Sequence, residues 1–333
     1  MSALLEVKNL KTYFFTKKGI VKAVDDVSFE VREKEILGIV GESGAGKSIT
    51  GFSILKAIDP PGKIVGGSIL FKGEDLVPKS EDEMQRIRGN HISMVFQDPL
   101  TSLNPVFTIG YQLEEAIKVH NPDMSKDEVR SRSIELLKSV GIPSPEKRLK
   151  DYPHQFSGGM RQRVVIAIAL ANNPDLVIAD EPTTALDVTI QAQVLNLMKR
   201  LSEERGSSII LITHDMGVVA QMADRIAVMY AGKIVEIGPT EEIIFNPRHP
   251  YTIGLIRSIP KLSGRRGKKL YQIPGMMPSL LNLPPGCAFA PRCFCKTPIC
   301  EREVPRLEKV GDDHYVRCFN HRRIADDKQS CKS

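Results

Sequence analysis

One stretch restricts the possible folds of this chain more than any other: Gly41-Glu42-Ser43-Gly44-Ala45-Gly46-Lys47-Ser48. It has the form G-x-x-x-x-G-K-[ST]. The apolar run Glu35 to Val40 precedes it and a helix-compatible run from Ile49 to Ala57 follows. A strand, a tight glycine turn and a helix start, in that order, aim successive backbone N–H groups and the positive end of the helix at one anion. This is the pattern of a phosphate-binding loop. In it the Lys47 ammonium reaches the outer phosphates of a nucleotide and the Ser48 hydroxyl ligates Mg²⁺. The alternative is a glycine-rich turn with a chance Lys-Ser, and the strand and helix flanks argue against it.

The chain has 333 residues, 41% hydrophobic and 26% charged, which predicts a globular protein with one large domain and a smaller one. No apolar run approaches the ~20 residues of a membrane span. Met1 to Leu10 lacks the basic-then-apolar order of a signal peptide. The expectation is a cytoplasmic protein whose membrane link runs through partners. A net charge of +6, spread along the chain, describes a solvated surface and does not point to nucleic acid. The six cysteines are Cys287, Cys293, Cys295, Cys300, Cys318 and Cys331. A reducing compartment disfavours disulfides, and a cluster confined to one end suggests a metal site.

Taken in order, Leu5-Glu6-Val7 and Val24 to Val31 read as strands of an antiparallel sheet, with a turn at Lys17-Lys18-Gly19. Tyr13, Phe14 and Phe15 precede that turn; each reads either as a strand residue or as an aromatic that stacks on a base. Gly66-Gly67 reads as a turn before the strand Ser68 to Phe71. His91 to Phe96 is a strand ending at Gln97-Asp98-Pro99, on the sheet edge where ligands bind in α/β folds. From Thr108 to Lys150 the apolar residues recur at helical spacing, a helical insert punctuated by Asn121-Pro122 and Gly141-Ile142-Pro143. Ser157 is placed to cap a helix opened by Gly158-Gly159, whose N–H groups suit an anion. Leu176 to Ala179 is an apolar strand ending in Asp180-Glu181-Pro182. Carboxylates at that point suit Mg²⁺ binding and water activation. Ser207 to Thr213 is a strand ending at His214, and Arg225 to Tyr230 forms a hairpin with Lys233 to Glu236. Alternating strands and helices predict an α/β fold with a mainly parallel central sheet.

These motifs in this order resemble the nucleotide-binding subunits of ABC transporters, over about residues 4 to 255. Gly41 to Ser48 corresponds to Walker A, Gln97 to the Q-loop, Phe156-Ser157-Gly158-Gly159-Met160 to the signature, and Leu176 to Asp180 with Glu181 to Walker B. Ala185-Leu186-Asp187 corresponds to the D-loop and His214 to the switch histidine. The signature departs from Leu-Ser-Gly-Gly-Gln at both ends and keeps Ser-Gly-Gly. The resemblance implies a P-loop ABC ATPase fold, with an antiparallel β subdomain and a helical subdomain at about 98–160. It implies head-to-tail pairing of two such domains, with ATP between Walker A of one and the signature of the other. Gly41, Ser43, Gly44, Ala45, Gly46, Lys47, Ser48 and Ile49 would hold the nucleotide on one side, and Ser157, Gly158 and Gly159 on the other. Ser48, Gln97 and Asp180 would hold Mg²⁺. Glu181 would be the general base and His214 would contact the γ-phosphate. By position Phe14 matches the adenine-stacking aromatic, with Tyr13 the alternative.

A narrower resemblance rests on His249-Pro250-Tyr251-Thr252 and Pro285-Gly286-Cys287-Ala288-Phe289-Ala290-Pro291-Arg292-Cys293. These are similar to the C-terminal extension of dipeptide and oligopeptide transporter ATPases, the D-type subunit especially, and place an extension at 256–333. The basic run Lys261 to Lys269, ahead of the cysteines, reads as a solvated connector, or as a contact with lipid phosphate. In D-type subunits the spacing Cys287-x5-Cys293-x6-Cys300-x17-Cys318 implies a [4Fe-4S] cluster. Zn²⁺ is the rival, including a Cys₃His site that uses His314 or His321 beside Cys318. Reduced cysteines without metal are the third reading. Cys295 and Cys331 fall outside the spacing and read as free thiols, Cys295 also as a substitute ligand.

The family implies an ATPase that powers uptake of dipeptides or oligopeptides from the cytoplasmic face of the cell membrane. Its partners would be two transmembrane permease subunits, a sister ATPase and, indirectly, an extracytoplasmic peptide-binding protein. Nickel or another small solute is the alternative cargo. A soluble ABC ATPase acting on nucleic acid is a competing reading. Such proteins carry a long coiled coil between Q-loop and signature, and no sustained heptads separate Gln97 from Ser157 here. A chain that is mainly an iron–sulfur redox module is disfavoured by the complete ATPase motif set.

Overall fold

Unbroken apolar runs decide where the strands lie in the computed structural model, which describes residues 3–184, 186–259 and 271–326. In chain order the strands are β1 (Ala3–Thr16), β2 (Gly19–Arg32), β3 (Ile36–Val40), β4 (Gly62–Phe71), β5 (Glu74–Asp75), β6 (Ile92–Val95), β7 (Leu176–Asp180), β8 (Ser208–Thr213), β9 (Arg225–Tyr230), β10 (Lys233–Pro239), β11 (Glu308–Gly311) and β12 (His314–Val316). The chain divides into two units. One comprises residues 31–35 and 78–211; the other comprises residues 4–30, 36–77 and 212 onward.

The unit that carries the phosphate loop is built on β3. All five of its residues are buried, and it runs parallel to β9, from Leu37 opposite Arg225 to Val40 opposite Val228. Strands buried on both faces lose the polar alternation of a half-exposed strand, which is why β3 and β9 read as continuous apolar runs. β9 turns back through Ala231-Gly232 into β10, its antiparallel partner. β12 then pairs with β10, and β11 with β12, giving the order β11-β12-β10-β9-β3. The cysteine-bearing end is therefore not loop alone: its hairpin is part of this sheet. A second sheet has the order β2-β1-β4-β5. Gly66 and Gly67 lie within β4, where the register against β1 shifts between Lys8 and Lys11. The glycine pair marks a bulge rather than the expected turn.

The other unit holds β6 and β7 as parallel neighbours, Ile92 opposite Leu176 through Val95 opposite Ala179. The helical insert is present as Ile109–Lys118 and Lys126–Ser139, packed on each other and on Gly158–Ala169. Ile109, Leu113 and Ile117 of the first helix and Val129, Leu136 and Leu137 of the second are buried. Ser125 and Glu128 form a reciprocal capping box at the start of the second, a device that satisfies two otherwise orphaned N–H groups. Among the described residues no helix is long and apolar enough to cross a membrane.

Candidate active site

The phosphate loop leaves β3 through two positions that only glycine fills. A Cβ on Gly41 would lie 2.2 Å from the Met229 carbonyl oxygen, and one on Gly46 equally close to the Ala23 carbonyl oxygen. Gly46 also adopts φ 104°, where side chains are strained. The Gly232 N–H donates to the Ala45 carbonyl at 2.9 Å, so the β9–β10 turn braces the loop. A helix begins at Lys47 and runs to Ile54. The Lys47 side chain is buried inside the loop, where Nζ donates to the carbonyls of Gly41 (2.9 Å) and Glu42 (3.1 Å). Ser43 and Gly44 are exposed, Ser48 and Ile49 half-buried.

In the other unit Gln97 and Glu181 meet. Gln97 Nε2 donates to Glu181 Oε2 at 3.0 Å, and Thr184 Oγ1 donates to the same oxygen at 2.9 Å. Glu181 adopts φ 46° directly after the buried Asp180. A left-handed conformation is uncommon outside glycine and costs ~1–3 kcal/mol, and it clusters at functional sites. Strand end, strained backbone and two donors together fix where the carboxylate points. Ser157 is exposed and its Oγ accepts from the Met160 N–H at 3.3 Å. Gly158 and Gly159 open the helix Gly158–Ala169, whose N-terminus carries the partial positive charge an anion needs. Of the D-loop, Leu186 precedes Asp187, which caps the helix Val188–Arg205; Ala185 lies outside the described residues.

His214 is exposed at the end of β8, in the unit of the phosphate loop. Tyr13 and Phe14 sit half-buried in β1. The Tyr13 hydroxyl donates to Asp25 Oδ1 at 2.7 Å, and Lys233 Nζ donates to Asp25 Oδ2 at 2.7 Å. Burial and the Asp25 carboxylate push the Tyr13 hydroxyl well above the usual phenol range, so Tyr13 is tied to strand β2. Phe14 packs the other way, against Gly62.

Cys287, Cys293, Cys300 and Cys318 are free thiols. They lie close enough to influence one another's ionisation: Cys318 feels Cys293, Cys287 and Cys300, and Cys293 feels Cys287 and Cys300. Burial raises Cys287, Cys293 and Cys318 above the usual thiol range, Cys293 to about 11 and Cys318 to about 12. Donors face the sulfurs. Backbone N–H groups of Phe289 and Ala290 reach Cys287, those of Cys295 and Asn320 reach Cys293 and Cys318, and Thr297 Oγ1 lies 3.2 Å from Cys300 Sγ. Among the described residues no three His, Cys, Asp or Glu side chains close on a single point as one metal ion requires.

Two expectations fail here. Cys295 is in a disulfide and buried against Ile324, so it is neither a free thiol nor a substitute ligand; Cys331 lies outside the described residues. His314 is no zinc ligand beside Cys318, because its Nε2 is 2.9 Å from the buried Glu236 carboxylate. His321 Nε2 is 3.5 Å from Glu308. The basic run Lys261 to Lys269 lies outside the described residues. The sequence reading missed Glu42 and Arg292. The carboxylate of Glu42 accepts from both terminal nitrogens of Arg292, at 2.9 and 3.0 Å. Glu42 occupies a variable position of the loop motif and its partner is 250 residues away, so no local signal pairs them.

Residues 24–184 match the family described as ABC transporter, and residues 235–300 match the C-terminal region of oligopeptide/dipeptide transporters. The oligopeptide transport ATP-binding protein OppD of Bacillus subtilis is 55% identical over 96% of this chain and 89% of its own length. The dipeptide transport ATP-binding protein DppD of the same organism is 52% identical, over 96% and 95%. Among solved structures, the ATP-binding cassette MJ0796, a dimer in a post-hydrolysis state with ADP and phosphate, superposes with a TM-score of 0.63. It is 31% identical over 71% of this chain and 98% of that one.

Proposed function

Because the chain belongs to the ABC transporter ATP-binding subunits of the oligopeptide/dipeptide type, we propose that it hydrolyses ATP at Glu181 and so drives the import of peptides. The observation that carries this reading is the Gln97–Glu181 hydrogen bond at the end of β7. It holds a carboxylate in a fixed direction, as a general base for water requires. Lys47 and the loop amides bind the phosphates; Ser48, Gln97 and Asp180 hold Mg²⁺; His214 meets the γ-phosphate. The exposed N-terminus of Gly158–Ala169 binds the phosphates of a nucleotide held by a second, head-to-tail ATPase domain. Phe14 stacks on adenine, since Tyr13 is occupied by Asp25. Leu100, Val106, Phe107 and Tyr111, all exposed shortly after Gln97, form an apolar patch suited to permease subunits. Glu181→Gln keeps the shape and removes the base. Steady-state hydrolysis by the purified chain should fall roughly 10²–10⁴-fold with Mg·ATP binding retained; near-normal turnover would remove Glu181 from this role.

We propose the four thiols, at the spacing that the family resemblance associates with it, as ligands of a [4Fe-4S] cluster. They form one electrostatic group, each with a hydrogen-bond donor at or near its sulfur. A bound cluster ties the four segments to one inorganic core and is able to carry an electron. Anaerobically purified protein should contain about four irons and four sulfides per chain. Stoichiometric zinc without iron would contradict the assignment.

A further inference from the structure

Arg292 is a heavily engaged cation outside the ATPase motifs. It is 8% exposed. Its Nε donates to the Pro274 carbonyl at 2.8 Å, Nη1 to Glu42 Oε2 at 2.9 Å and to the Tyr230 hydroxyl at 3.3 Å, and Nη2 to Glu42 Oε1 at 3.0 Å. The guanidinium lies 5.8 Å from the ring centre of Tyr230 and 5.9 Å from that of Phe289. A forked arginine with every nitrogen committed holds a carboxylate in one orientation.

The residue it holds is the second of the phosphate loop. Glu42 is pinned in a further way: its N–H donates to the buried Tyr251 hydroxyl at 2.8 Å. Side chain and N–H are thus fixed by two distant parts of the chain. A loop arranged before the nucleotide arrives loses less freedom on binding, which shows as tighter affinity.

The arginine lies between two of the thiols in sequence. Cys287 and Cys293 bracket a single 3₁₀ turn, Ala290–Arg292. The Ala290 N–H donates to the Cys287 carbonyl at 3.0 Å, and the Cys293 N–H to the Ala290 carbonyl at 3.3 Å. Cys293 directly follows Arg292, and Cys287 is joined to the same turn by a backbone hydrogen bond.

We propose that Arg292 is a positioning residue for nucleotide binding, and that through its fork on Glu42 the four-thiol module sets the affinity of the phosphate loop for Mg·ATP. The second half rests on the thiols holding a cluster; the first half does not.

The test uses the full chain, purified anaerobically, with iron measured on every sample. The readout is equilibrium binding of a fluorescent ATP analogue with Mg²⁺, with KM and kcat measured alongside. Arg292→Gln and Glu42→Gln should each weaken binding about tenfold, and the double variant should be no weaker than either, as for two ends of one interaction. Arg292→Lys keeps the charge without the fork and should fall between. KM should rise by more than kcat falls. Cys293→Ser should weaken binding in the parent chain and add nothing in the Glu42→Gln background. Parent-like affinity in Glu42→Gln would overturn the first half, as would a double variant equal to the product of the singles. Unchanged affinity in Cys293→Ser that has lost its iron would overturn the second. An iron-free parent chain would sink the cluster assignment and the second half together, leaving the arginine–glutamate comparison to decide the first.

Discussion

His249 is a residue whose chemistry reverses when the chain folds. It is 1% exposed. Its Nδ1 accepts the Tyr251 N–H at 3.1 Å, capping the helix Pro250–Ser258, and its own N–H donates to Glu236 at 3.0 Å. Burial pushes its pKa down to about 3, while the unfolded chain titrates near 6.5. Between those values the unfolded state binds the extra proton. The stability this histidine contributes is complete above about pH 6.5 and declines as pH falls toward 3. Lowering pH from 7 to 5 should cost roughly 2 kcal/mol through His249 alone. His249→Asn keeps a capping side chain and removes the titration. Denaturant unfolding at both pH values should show a pH loss smaller by that amount; an unchanged loss would refute the assignment. Sequence marked His249 only as part of a family motif, because its burial comes from Phe289 and Tyr251 packing around it. Glu181 was more legible, since a carboxylate at the end of an apolar run announces its position. Its left-handed backbone and its bond to Gln97 were not legible, because both depend on how β6 and β7 align.

At the scale of elements, what could be read was what local periodicity encodes. β3, β7, β8 and β9 are uninterrupted apolar runs, and all are buried. The Ser157 cap and the helical insert follow from local spacing, and the structure has both. β1 and β2 run to 14 residues each, well beyond the two short strands expected. Their hairpin continues through charged residues that are exposed and leave no apolar alternation. The β11–β12 hairpin was invisible for a similar reason. Glu308–Gly311 is largely exposed, and β12 is anchored by pairing with β10 and by the His314–Glu236 contact, both of which span long sequence separations. The disulfide at Cys295 overturned an expectation built on redox compartment; the spacing set Cys295 apart from the other four but could not tell a free thiol from a bonded one.

For the whole molecule, the two units divide the chemistry. One carries the phosphate loop, His214 and the cysteine module; the other carries Gln97, the Ser157–Gly159 segment, Asp180 and Glu181. Lys47, Ser48, Gln97, Asp180, Glu181 and His214, the groups proposed to bind the triphosphate and activate water on one side of the nucleotide, are all present in this chain. The chain's part is that of the ATPase of a peptide importer, converting hydrolysis into transport. The most direct measurement is uptake of a labelled peptide by the source cells after Glu181→Gln replaces the parent chain, with nickel uptake followed in parallel. Peptide uptake should fall to background while the variant is made in normal amounts and still binds Mg·ATP. Peptide uptake at the parental rate, or loss of nickel uptake with peptide uptake intact, would contradict the account.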